Sequence, residues 1–189
     1  MNVFDFDGTI YDGDSSLDFW LFCVAKRPSL LRYFPNQICG WLLYKTGRIS
    51  KGEFKSRFFS FFAGIPKIDV FVKEFWNKNE RRIKSWYKRM RRSDDCVVSA
   101  SPRFLLEEIC GRLGIKHLMA TEVDTRTGRL LGKNCYGVEK IRRLFFEFEN
   151  VHVDAFYSDS LSDLPLAQIA EQAYLVRKGV LITWNVAES

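Results

Sequence analysis

A short apolar run with strand character, Asn2-Val3-Phe4-Asp5-Phe6, stands alone at the start of this chain. From Asp14 to Arg92 the pattern is helical, and strand-like runs return only at Cys96. Beyond that point strands alternate with helices, which argues for an α/β fold with a parallel, doubly wound, Rossmann-like sheet. The expected division is an α/β core from residues 1–11 and 93–189, interrupted by a helical insertion at 12–92. A length of 189 residues suffices for one compact domain with a small inserted one.

Inside the insertion, Phe71, Phe75, Ile83, Trp86, Tyr87 and Met90 recur near helical spacing, as do Phe54, Phe58, Phe61 and Phe62. Such stripes read as core. Pro28, Pro35, Gly47, Gly52, Gly64 and Pro66 divide the region into short helices. After Arg92, Cys96-Val97-Val98 reads as a strand reaching Ser99. Ser101 then reads as an N-cap, with Pro102 at the first helical position. Leu105, Leu106, Ile109, Cys110 and Leu113 form that helix's apolar face, and Gly114 ends it. Thr121–Leu131 reads as a hairpin turning at Gly128. Val138, Ile141, Phe145 and Phe148 predict an amphipathic helix. Val151–Tyr157 predicts a strand, Ser162 a cap for a helix through Ala170, and Ala173–Val176 a last short strand.

Charge separates along the same boundary. Residues 12–92 carry 18 Lys+Arg against 7 Asp+Glu, whereas the rest carries 11 against 16. The basic block is a solvated surface, a field that draws in an anionic substrate or lipid surface, or a nucleic-acid site. No nucleic-acid motif supports the last, so no nucleic-acid partner is expected. The five cysteines include no CxxC pair, which disfavours a disulfide framework or zinc site and fits a reducing cytoplasm. With two distant histidines, any metal falls to carboxylates, which suit a hard cation such as Mg²⁺. No signal peptide is visible, and no 18-residue apolar run predicts a spanning helix.

In a doubly wound sheet the site lies beyond the carboxyl ends of the strands. Asp5, Asp7, Ser99 and Asp159 all fall there. A period of two puts the carboxyl groups of Asp5 and Asp7 on one side, with Phe6 turned into the core. Gly8 follows and permits a sharp turn. At about 4 Å two carboxylates repel by about 4 kcal/mol at an effective dielectric of about 20. A cation or a shared proton must offset that. A calcium loop of the EF-hand type fails, because Thr9 and Ile10 stand where a ligand and a glycine are needed. The remaining parts suit phosphoryl transfer. Asp5 would attack phosphorus and Asp7 would serve as acid and base. Ser99 and Lys140 would hold the phosphate, and Asp159 would complete a Mg²⁺ cluster supported by Asp163. Gly8, Thr9 and Ala100 are the further expected phosphate contacts. Asp14 and Arg57 are candidate substrate readers from the insertion.

Four segments carry a family resemblance: Asp5-Phe6-Asp7-Gly8-Thr9, Val97-Val98-Ser99, Gly137-Val138-Glu139-Lys140, and Tyr157-Ser158-Asp159-Ser160-Leu161-Ser162-Asp163. The chain resembles a haloacid-dehalogenase-superfamily phosphatase of the phosphoserine-phosphatase-like branch. The resemblance implies Mg²⁺ on the side chains of Asp5 and Asp159 and the backbone carbonyl of Asp7. It also implies that residues 12–92 form a cap over the site. The acidic residue at position 7 is what dehalogenase members lack. Ser99-Ala100-Ser101-Pro102 and Ser160–Leu166 are also similar to the bacterial phosphatidylglycerophosphatase of that branch. Its apolar cap segment corresponds to Pro28–Gly47, which polar residues interrupt here. Peripheral membrane contact through Trp20, Phe34, Trp41, Arg32 and Lys45 therefore replaces insertion as the expectation. The expected function is hydrolysis of a small or lipid-linked phosphomonoester. The alternative is a non-catalytic anion- or membrane-surface-binding module of the same fold.

Overall fold

In the computed structural model, residues 1–185 are described. A six-stranded sheet runs in the order β3-β2-β1-β4-β5-β6. Its strands are β1 (Asn2–Phe4), β2 (Cys96–Pro102), β3 (His117–Thr121), β4 (Ala155–Ser158), β5 (Gln172–Arg177) and β6 (Val180–Thr183). All neighbours are parallel except β5 and β6. Between β1 and β2 lie α1 (Ser15–Lys26), α2 (Phe34–Lys45), α3 (Lys51–Phe58), α4 (Ile68–Asn79) and α5 (Ser85–Met90). The later helices are α6 (Arg103–Leu113), α7 (Val138–Glu147) and α8 (Leu164–Ala167).

The central strands β1 and β4 are mostly apolar and buried because both sheet faces are covered there. Their period of two sends alternate residues into two separate cores. Phe4, Val97 and Tyr157 pack with Phe75, Trp76, Tyr87 and Leu105 on one face. Val3, Cys96, Val98 and Phe156 pack with Leu144 and Leu166 on the other. The first core joins the helical insertion to the sheet. Trp76 of α4 is fully buried, and its Nε1 donates to the Leu105 carbonyl of α6 at 2.7 Å. β1 is central, flanked by β2 and β4, so the chain leaving it emerges where the strand order reverses.

Several local expectations need correction. β3 starts at His117, and the expected hairpin reduces to one bridge between Val123 and Leu130 closed through Gly128. α6 has no side-chain cap: Pro102 occupies the cap position, and Ser101 belongs to β2. Ser160, not Ser162, caps the turn before α8, and that helix ends at Ala167. On α7 the fully inward residues are Lys140 and Leu144, while Val138 and Phe145 are exposed. Apolar periodicity misreads that helix because its inner face serves a charged group. β6 lies beyond the last strand that the sequence pattern predicts, and its four residues are exposed at the sheet edge. Among the described residues all five cysteines are free, and no helix is long and apolar enough to cross a membrane.

Candidate active site

Asp5 extends β1 past its last ladder residue: its amide donates to the Tyr157 carbonyl of β4 at 2.9 Å. The chain then turns sharply at Gly8, whose φ is +71° and whose amide donates to Gly13 O at 2.9 Å. A side chain here would collide with Asp159, since a Cβ would lie 2.0 Å from its Oδ2. Glycine is thus required both by the left-handed backbone and by the closeness of that carboxylate. Thr9, fully buried, accepts from the Asp159 amide at 2.9 Å and so ties the β1 and β4 loops together. Lys84 donates to the Gly8 carbonyl.

Lys140 rises from the first turn of α7 and is 2% exposed. Its Nζ donates to Asp5 Oδ1 and Asp163 Oδ2, both at 2.7 Å. Ser158 Oγ also donates to Asp163 Oδ2, at 2.8 Å. Burial alone would lower the lysine's pKa, but two facing carboxylates hold it above its ordinary value. Burial pushes Asp5 up, with Lys140 opposing and Asp163 and Asp7 adding to the rise.

Asp7 has its own, separate partners. Ser15 N, in the first turn of α1, donates to Oδ1 at 2.6 Å, and Ser101 Oγ donates to Oδ2 at 2.5 Å. Burial and then the charge of Asp14 raise the Asp7 carboxyl to about 6, against those hydrogen bonds. The sequence pattern marks Ser101 as a helix cap. Its true partner lies 94 residues away, a separation no local pattern reveals.

Ser99 is 1% exposed, and its Oγ accepts from Ser101 N at 3.1 Å, leaving its own proton free for a ligand. Ala100 presents its carbonyl to Thr121 Oγ1 at 2.9 Å and to Lys55 Nζ at 2.5 Å. Lys55, unforeseen in the sequence, reaches over from α3, whose start is fixed by a reciprocal capping box between Ser50 and Glu53. Burial and then the charge of Lys51 push the Lys55 ammonium down to about 8. Lys51 sits over the Tyr136 ring, 3.2 Å from its centroid.

These groups line one cavity of about 650 Å³, which holds Asp5, Asp7, Gly8, Asp14, Ser99, Ala100, Lys140, Asp159 and Asp163. Leu17, Lys51, Phe54, Lys55, Phe58 and Phe59 of the insertion face it. Asp14 caps α1 through a 2.9 Å bond from Leu17 N. Arg57 is not on the cavity wall; its Nη1 donates to Asn36 Oδ1 at 3.2 Å.

Negative charge is in excess at the strand ends. Among the described residues no side chain donates to the Asp159 carboxylate, and burial raises its pKa. Asp163 Oδ1 is buried without a partner. No three acidic, histidine or cysteine side chains of the described residues converge on one point. A cation here would take two carboxylates, a backbone carbonyl and water, an all-oxygen set that suits Mg²⁺.

A family model for haloacid dehalogenase-like hydrolase matches residues 3–168. No curated protein sequence matches the chain. Among solved structures, a protein of unknown function from Bordetella pertussis Tohama I superposes with a TM-score of 0.74 at 21% identity, over 92% of this chain and 87% of that one. A phosphoserine phosphohydrolase-like protein from Francisella tularensis subsp. tularensis SCHU S4 gives 0.65 at 17%, over 95% and 89%. A substrate-bound phosphoserine phosphatase gives 0.53 at 14%, over 90% and 82%. At these identities the structures speak for the fold, and the family model, which spans most of the chain, speaks for descent: this chain belongs to the haloacid dehalogenase-like hydrolases.

Proposed function

We propose that the chain is a Mg²⁺-dependent phosphomonoester hydrolase working through a phosphoryl group on Asp5. One observation carries this reading: Asp5 and Asp7 share a cavity but have different partners. Asp5 Oδ1 is held by the Lys140 ammonium, whereas both Asp7 oxygens are held by neutral donors. Environments that differ in this way separate a nucleophile from an acid/base group.

In the first step a carboxylate oxygen of Asp5 attacks phosphorus and the bond to the leaving oxygen breaks. Asp7 gives its proton to that oxygen. In the second step water attacks the phosphoryl group on Asp5, Asp7 takes a proton from the water, and inorganic phosphate departs. Ser99 Oγ and Lys140 Nζ stabilise charge on the phosphoryl oxygens. Asp163 positions Lys140, and Thr9 positions the Asp159 loop. Asp5, Asp159 and the Asp7 carbonyl would hold Mg²⁺, which supplies charge neutralisation for the incoming phosphate.

Residues 12–92 act as the cap over a core formed by 1–11 and 93–189, with α4 anchoring the cap through Trp76. The cap wall combines Lys51 and Lys55 with Leu17, Phe54 and Phe58. That mixture favours a leaving group with both anionic and apolar character, small or lipid-linked. Asp5→Asn removes the nucleophile, and release of phosphate from a chromogenic phosphomonoester in Mg²⁺ should fall at least about a thousandfold. Chelation of the metal should abolish wild-type turnover as well. Turnover surviving either treatment refutes the reading.

A further inference from the structure

Helix α2 is built inside out. Its inward side is Gln37 and Gly40: Gln37 Nε2 donates to the Phe58 carbonyl at 2.8 Å, and Gly40 lies against the Arg57 side chain. Its outward side carries Phe34, Ile38, Trp41 and Leu42, between 42% and 51% exposed. The spacings of four, three and one place them on one stripe. Phe34, Ile38 and Leu42 also line a shallow groove with Pro35, Cys39 and Leu43. The stripe is not isolated. Trp20 of α1 stacks on Phe34 at 5.9 Å, and its neighbours Leu17 and Leu21 are about half exposed. Leu17 in turn lines the active-site cavity.

The chain segment that builds this face carries one sign of charge, although Lys26 pairs with Glu74 of α4. From Phe19 to Gly52 the chain contains Lys26, Arg27, Arg32, Lys45, Arg48 and Lys51 and no acidic residue. Lys45 ends α2 on the apolar stripe itself, one turn beyond Trp41. A membrane surface can take such a face, the apolar stripe of α2 entering the acyl boundary and the lysine and arginine side chains of the flanking segments reaching the headgroups. A protein partner covering the stripe would have to present acidic groups around an apolar patch; an anionic bilayer presents both over any area.

We propose that the outward face of α2, flanked by α1, docks on an anionic lipid bilayer surface. The proposal does not depend on the phosphatase reading. Docking there brings the Leu17 side of the cavity toward the membrane, where a lipid-linked substrate would be met.

The experiment is co-sedimentation of the full chain with vesicles of phosphatidylcholine alone and of phosphatidylcholine mixed with phosphatidylglycerol. Binding is expected only to the mixed vesicles, weakening at least tenfold when salt shortens the Debye length from about 10 Å to about 3 Å. Ile38→Glu combined with Trp41→Ser should reduce the partition coefficient at least tenfold. The same variant should leave hydrolysis of a soluble chromogenic phosphate unchanged, since neither residue touches the cavity. Trp41 fluorescence should shift to the blue on binding, and Trp41→Phe should remove that shift. Equal binding to both vesicle types, or undiminished binding of the double variant, overturns the proposal. So does self-association of the wild type, seen by ultracentrifugation, that the double variant abolishes, because a second copy would then cover the face.

Discussion

At the scale of single residues, the site is a set of charges held apart by different neighbours. Lys140 serves two carboxylates from a nearly dry position, and Asp7 depends on Ser15 and Ser101. Lys55 is the more deeply buried of the two cations, with Lys51, that the insertion brings to the cavity. Replacing it by glutamine keeps a donor for the Ala100 carbonyl and removes the charge. KM for an anionic phosphomonoester should rise roughly tenfold, about 1.4 kcal/mol, with kcat little changed; Lys55→Arg should restore most of it. The sign of the pH effect follows from its depressed pKa. The ammonium is charged below about 8 and neutral above, so wild-type KM should climb as pH passes about 8. Lys55→Gln should lack that step in steady-state profiles. Equal loss for charged and neutral leaving groups would instead mark Lys55 as a strut. Asp5, Asp7, Ser99, Lys140 and Asp159 are legible together rather than singly, because the four motifs that carry them come in order and each at the expected end of its element. Lys55 and Ser101 are not. A helix lysine and a serine before proline have common local uses, and only the fold brings them to the cavity.

Among the elements, those with one dominant apolar period were the legible ones. β1, β2, α6 and β5 lie close to where alternation or a 3.6-residue stripe put them. Elements governed by something else depart from the pattern in face, length or existence. α7 turns a lysine inward, α8 is a single turn after a serine-rich loop, and β6 is an exposed edge whose pairing comes from β5. α4 was expected as core, and its burial is complete at Phe75 and Trp76. Trp76→Ala should lower unfolding stability by about 3–5 kcal/mol, from the cavity left and from the unpaired Leu105 carbonyl. Denaturant titration measures this. A loss below about 1 kcal/mol would mean that α4 does not anchor the insertion to the sheet.

For the molecule as a whole, one long insertion between the first two strands determines the arrangement. It shares a hydrophobic core with one sheet face, gives the cavity its apolar and cationic wall, and leaves α2 facing outward. The sheet contributes the acidic end of the cavity, so the charge division seen along the sequence becomes a division across the site. The central claim is that a phosphoryl group passes through Asp5, and trapping it is the most direct test. The enzyme should be acid-quenched while turning over a radiolabelled phosphomonoester, and its peptides then mapped. With a phosphomonoester whose leaving group departs without a proton, the label should reside on the peptide containing Asp5 and should increase in Asp7→Asn, which lacks the base for the second step. Phosphate release with no labelled protein in either form, or label on another residue, would contradict the account.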